Sequence, residues 1–279
     1  MKAENINAEG LKAMTAKSYA LRRDILDMVY HAGTGHIGGD FSVCDIINVL
    51  YSVVMNISPE NFKNAGGRDH FILSKGHSVE ALYAVLADRG FFPKEELQGY
   101  SSFGSKYIGH PTNKVNGIEM NSGSLGHGLS VGVGMALANR DNRVYVVMGD
   151  GEQAEGSVWE GAMAAGHYSL SNLCAVVDRN HLQISGTTEA VMTPGALGDR
   201  YAAFGWNVIS VNGNDTAELI EAFKRAEACR EKPTVLIAET IKGYGVSFME
   251  NRAEWHHRVP TREEYRLAFE ELGAKEAAV

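Results

Sequence analysis

A chain of 279 residues, 44% hydrophobic and 22% charged with only six prolines, has the material for a large packed core and excludes a disordered or fibrous protein. Its net charge of -8 argues against a nucleic-acid partner, and no run of 18 apolar residues marks a membrane span. The opening MKAENINAEGLKAM lacks the apolar centre of a secretory leader, and Cys44, Cys174 and Cys229 form no CxxC pair, so a cytoplasmic chain with reduced, buried thiols is expected.

Leu11, Met14, Ser18, Leu21, Ile25 and Met28 recur at three- and four-residue spacing, which predicts a first amphipathic helix ending near HAGTG. Ser42 followed by Asp45 has capping-box spacing and predicts a helix start within SVCDIINVLYSVVMNI. The apolar runs HFILS, RVYVVMGD, LCAVVD, WNVISV and TVLIAE read as buried strands, separated by helical stretches such as EGSVWEGAMAAGHYSL and TAELIEAFKRAEACREK. Thr261 and Glu264 form a second capping box that opens a closing helix. Alternation of this kind predicts an α/β fold, a mostly parallel sheet with helices on both faces. No repeat or linker composition divides the chain, so residues 1–279 are expected to form a single domain. Three long irregular stretches remain, 98–124, 183–199 and 241–260, and loops of that length usually bind something.

In an open parallel sheet, ligands sit beyond the carboxyl ends of the strands. MGDGEQAEG places Asp150 there, between Gly149 and Gly151, which let the backbone turn and approach a ligand. Asn180 closes the next predicted strand, 30 residues later, about one strand–helix–strand unit on. If those strands are neighbours, a carboxylate and an amide oxygen converge with a nearby backbone carbonyl. Such hard donors suit Mg²⁺ or Ca²⁺, and Mg²⁺ commonly completes its shell with substrate phosphates, so a diphosphate held through a metal is expected. A tight turn at GDG and a cap at Asn180 are the plainer reading of the same residues.

GDG followed some thirty residues later by Asn resembles the thiamine diphosphate signature of transketolases, deoxyxylulose-phosphate synthases and 2-oxoacid dehydrogenases. GTGHIGGDFSVCDIINVLY, FILSKGHS, YIGHPT, NSGSLGHGLSVGVGMA and EWHHRVP resemble, in the same order, the blocks of transketolase, over about Ala16 to Pro260. The resemblance implies that Asp150, Asn180 and the Leu182 carbonyl ligate Mg²⁺, with Ca²⁺ as a substitute. Gly151 would approach the diphosphate by its amide, and His77 would hydrogen-bond it. Gly123, Ser124 and Leu125 would lie along the cofactor at a helix start, where free amides suit an anion. The resemblance also implies that His36, His110 and His256 line the sugar channel, with His256 touching cofactor as well. Departures from the pattern are Lys75 in place of the usual Asn, His127 in place of Gln and His257 in place of Gly.

The chain matches only the first part of a typical transketolase. The pyrimidine-binding and carboxy-terminal domains are expected on a partner chain, as in split transketolases, with two copies of each chain in the complex. The implied activity is transfer of a two-carbon ketol unit between sugar phosphates, most commonly pentose phosphates. The alternatives are a deoxyxylulose-phosphate synthase-like or 2-oxoacid dehydrogenase-like subunit, or a non-catalytic interaction subunit that keeps the fold. Neither GxxxxGK[ST] nor a GxGxxG after a first strand is present, which weighs against a plain nucleotide-binding domain.

Overall fold

The five apolar runs become strands β1 (His70–Leu73), β2 (Val144–Gly149), β3 (Leu173–Arg179), β6 (Asn207–Asn212) and β7 (Thr234–Glu239), in a computed structural model that describes residues 6–279. They pair as one parallel sheet in the order β1-β2-β3-β7-β6, while β4 (Leu182–Gln183) and β5 (Gly186–Thr187) make a small antiparallel hairpin. The helices are α1 (Ala8–Ala32), α2 (Ile37–Val49), α3 (Val79–Asp88), α4 (His127–Ala138), α5 (Gly156–His167), α6 (Thr188–Met192), α7 (Leu197–Ala203), α8 (Thr216–Ala228) and α9 (Arg262–Ala278).

Successive strand residues feed opposite faces, as the pleat requires. Tyr145, Val147, Cys174 and Val176 pack with α1, α2, α3 and α8, whereas Val144, Val146, Met148, Ala175 and Val177 pack with α4, α5 and α7. Both faces of the sheet are therefore covered, and the strands read as continuous apolar runs rather than alternating ones. Cys44 and Cys174 are buried free thiols, and Cys229 is half-buried.

Helix α2 continues through a wider turn at Leu50–Val54, and the 18 residues Ile37–Val54 have a mean hydropathy of 1.4. That is enough to cross a membrane by composition, but 89% of the segment is buried inside the protein, so it is the central core helix.

The capping box predicted at Ser42 and Asp45 is not there. Helix α2 is capped six residues earlier, by His36, and starts at Ile37. Ser42 and Asp45 lie inside the helix and serve tertiary partners instead. The Ser42 hydroxyl donates to Asp178 at 2.7 Å, and Asp45 takes the buried Arg22 guanidinium at 2.5 Å. By contrast, Thr261 and Glu264 do close a reciprocal capping box on α9. The irregular stretch 183–199 contains β5 and α6, while 98–124 and 241–260 remain loops around the carboxyl edge of the sheet.

Candidate functional site at the carboxyl edge of the sheet

Because β2 and β3 are neighbours, with Gly149 opposite Asp178, the loops carrying Asp150 and Asn180 leave the same edge side by side. Asp150 Oδ1 accepts the Gly151 N–H at 2.8 Å and Oδ2 accepts the His181 N–H at 2.6 Å. His181 adopts φ of 63°, which turns the chain back so that the Leu182 N–H reaches Asn180 Oδ1 at 3.1 Å. The Asp150 carboxylate is thus tied by a hydrogen bond to the neighbouring turn that carries Asn180 and Leu182. Burial, then the charge of Asp178, pushes the Asp150 carboxyl up to about 6. Among the described residues its donors are two backbone amides, so a cation beside it would be strongly favoured.

Asp178 itself is fully buried and fully engaged. Lys75 and Thr240 donate to it in very short contacts and Ser42 donates at 2.7 Å; burial raises its carboxyl, but Lys75 and these donors hold it below the ordinary range. The Lys75 ammonium also donates to the Gly39 carbonyl at 3.1 Å. A second buried lysine, Lys242, follows β7, and its ammonium donates to His256 Nδ1 at 3.1 Å. Burial and the nearby Lys75 push Lys242 down to about 8. Sequence reasoning missed Lys242 and undervalued Lys75. The signal available was their position, each just past the end of a predicted strand, in FILSKGH and TVLIAETIKG.

The histidines form one cluster. The His36 ring lies 5.5 Å from His77, 5.9 Å from His110, 5.6 Å from His256 and 4.4 Å from His257, between centroids. His77 lies 5.2 Å from His256. So the three predicted channel histidines and the predicted diphosphate ligand share one wall, and His257 joins them. Burial is the main force on each of four rings: it pushes His36 to about 4, with His257 adding, and His256 to about 2, with Lys242 adding. His77 falls well below the usual value, through burial and then Lys75, and His110 falls through burial. Neutral imidazoles of this kind donate and accept hydrogen bonds to hydroxyls without adding charge. His36, His256 and His257 bring ring nitrogens within 4.8 Å of one another, but the ammonium on His256 Nδ1 opposes a metal there.

Close backbone approach explains two glycines. A side chain at Gly76 would meet the Gly123 nitrogen and Ser122 Oγ at 2.8 Å, and one at Gly123 would meet the His110 ring at 2.8 Å. The 76–78 turn, the 122–125 strip and His110 are therefore packed without a gap. Gly123 and Leu125 are half-buried, and Ser124 is exposed. Glu152, also unread in the sequence, ties the strip to the strand ends. Its carboxylate accepts from Ser74, from Gly126 N–H at 2.8 Å and from Gly149 N–H at 3.0 Å.

The profile of the transketolase thiamine diphosphate binding domain matches residues 14–278. The chain belongs to the transketolase family. It is 47% identical over 269 residues to a subunit of the apulose-4-phosphate transketolase of Phocaeicola vulgatus, covering 95% of each chain. It is 40% identical to the 6-deoxy-6-sulfo-D-fructose transketolase subunit SqwG of Clostridium sp. (strain MSTE9), over 90% of this chain and 93% of that one. Among solved structures, the Leishmania mexicana transketolase superposes with a TM-score of 0.82 at 27% identity, over 96% of this chain. The chain spans only 45% of that transketolase's length, whereas it spans nearly all of the two subunits.

As a thiamine diphosphate binding domain of this family, the edge fits its cofactor. The Asp150 carboxylate with the Asn180 and Leu182 oxygens is a hard donor set, two buried ammonium groups answer an anion, and the His36 Nδ1 is a buried ring nitrogen with no partner among the described residues.

Proposed function

We propose that this chain is the cofactor-holding subunit of a two-chain transketolase, which transfers a two-carbon ketol unit from a ketose to an aldose. The observation that carries the reading is the gathering of Asp150, Lys242 and the histidines at one edge of the sheet, in a chain that covers nearly all of a subunit relative. Asp150, Asn180 and the Leu182 carbonyl would hold Mg²⁺, with Ca²⁺ a possible substitute. Gly151 N–H, His77, Lys75 and Lys242 would face the diphosphate, and the 123–125 strip would lie along the cofactor. When bound, thiamine diphosphate supplies the electron sink for carbon–carbon cleavage.

The chain's own residues do the rest. His36, His110 and His256, held neutral by burial, would orient the sugar hydroxyls, and His36 and His110 would accept or return the hydroxyl proton as the bond breaks. Lys242, by donating to His256 Nδ1, leaves its Nε2–H to point into the channel. The pyrimidine half of the cofactor would be gripped by a partner chain, in a complex of two copies of each. Both subunit relatives are named for sugars bearing an anionic group, a phosphate or a sulfo group, so the donor is read as a ketose with an acidic group on its remote end.

The deciding assay is two-carbon transfer to ribose 5-phosphate from xylulose 5-phosphate and from apulose 4-phosphate, with Mg²⁺ and cofactor, by this chain alone and with a carboxy-terminal partner. Transfer only in the mixture is expected. Release of CO₂ from pyruvate without ketol transfer would overturn the reading in favour of a 2-oxoacid enzyme.

A further inference from the structure

One buried pair plays no part in the chemistry above. Asp40 on α2 and Glu80 on α3 are each 0% exposed and lie behind the histidine cluster. Asp40 Oδ1 accepts the Ala81 N–H at 3.0 Å. Glu80 Oε1 accepts both the Tyr100 hydroxyl at 2.6 Å and the His36 N–H at 3.3 Å. The other oxygens, Asp40 Oδ2 and Glu80 Oε2, are buried without a partner among the described residues, and the two carboxyls are close enough to hydrogen-bond each other. Two carboxylates cannot form that bond, whereas a carboxylate and a carboxylic acid can. Glu80 also fills the space beside Gly35, where a side chain would meet Oε1 at 2.7 Å, so the turn before His36 is shaped against it.

We propose that Asp40 and Glu80 hold one proton between them, and that Glu80 is the positioning residue that fixes His36 over the reacting sugar through its backbone N–H. The inference rests on the transketolase reading for His36's task, whereas the shared proton rests on the two buried, unpartnered oxygens, Asp40 Oδ2 and Glu80 Oε2. Burial raises both carboxyls; the charge of Glu80 raises Asp40 further, whereas the hydrogen bonds from Tyr100 and Asp40 bring Glu80 part of the way down. The groups facing the pair are Lys75 and Lys242 from the strand ends, Tyr100 from the loop, Tyr83 on α3 and Cys44 on α2. Burial raises both tyrosines and the thiol, so they stay protonated, whereas burial lowers Lys242 into a range where it could mimic the pair's pH dependence. Loss of the shared proton would leave two charges in contact and push Glu80 off the His36 N–H.

Infrared spectroscopy reads the proton directly and is blind to Lys242. The full chain at neutral pH is expected to show the C=O stretch of a protonated carboxylic acid, lost in Glu80→Gln. Absence of that band in the wild type, or its persistence in the variant, overturns the shared proton. In the co-expressed complex, Glu80→Met should lower kcat about a hundredfold, the scale of a displaced catalytic group, with little change in KM. Glu80→Gln, whose amide can donate to Asp40 and accept from His36, should restore most of that loss and flatten the alkaline limb of the pH profile. A Gln variant as impaired as Met, or an unchanged alkaline limb, sinks the positioning role. If the Met variant does not fold, the Gln profile still decides. A wild-type complex without ketol transfer would count against the functional reading and leave the infrared result standing.

Discussion

Asp150 is oriented by two backbone amides, and its removal takes both a charge and their acceptor from the turn. Asp150→Ala is expected to abolish Mg²⁺-dependent thiamine diphosphate binding; calorimetric titration of the reconstituted complex, with and without chelator, checks this. Lys242 makes a different kind of prediction. Burial lowers His256 first and the neighbouring ammonium lowers it further, so Lys242→Met should raise the His256 pKa part of the way back. An NMR titration of the ring protons measures it, and cofactor affinity should fall in the same variant. The placement of Asp150 and Asn180 was legible because its signal is local: a hard donor just past the end of an apolar run, flanked by glycines in the case of Asp150. Lys75 and Lys242 were not, because a lysine in sequence looks like surface charge, and only the packing around Asp178, Gly39 and His256 shows two of them 1% exposed.

The errors and successes at the scale of elements have one cause. Thr261 and Glu264 cap α9 at the surface, where Arg258 takes Glu264 Oε1 and leaves Oε2 free to close the box on the Thr261 N–H. Thr261→Ala should cost about 0.5–2 kcal/mol in urea unfolding. Ser42 and Asp45 share the same spacing, but Asp178 and Arg22 claim them from outside the helix, and no single-helix rule can see those partners. Asp45→Ala, which leaves the Arg22 guanidinium buried without its carboxylate, should destabilise by about 3–5 kcal/mol. The Asp40–Glu80 pair joins α2 to α3 and carries a sign. Because burial raises these carboxyls, the folded chain binds more protons than the unfolded one between the two ranges. The pair's contribution to stability is then complete below the ordinary carboxylate range and lost as pH rises through the raised one. The histidines pull the other way, so the urea midpoints of wild type and Glu80→Gln should be compared as a difference, which ought to narrow towards alkaline pH.

Across the whole molecule, the strand ends of β1, β2, β3 and β7 deliver Lys75 and His77, Asp150, Asn180, and Lys242 to one edge. Around that edge and on the adjoining helices, Ser124, Val131, Leu137, Met163, Ile184 and Met192 are exposed. A partner chain that grips the rest of the cofactor would cover part of this rim. Light scattering of the co-expressed subunits is expected to give a mass of two plus two; separate monomers under conditions that support catalysis would contradict it. The isolated chain should bind cofactor only weakly and transfer no ketol unit.

What the sequence determined by itself was periodic or local. Apolar runs alternating with helical stretches demanded a parallel sheet covered on both faces, since only that arrangement buries such runs twice. The ordered histidine blocks and the glycine-flanked aspartate named the kind of site. Tertiary structure alone decided which groups share a charge or a proton. The partnering of Lys75 with Asp178, Lys242 with His256 and Asp40 with Glu80 joins residues from separate elements. Burial in the assembled core then fixes their protonation, because the cost of an unpaired charge exists only once water has been excluded.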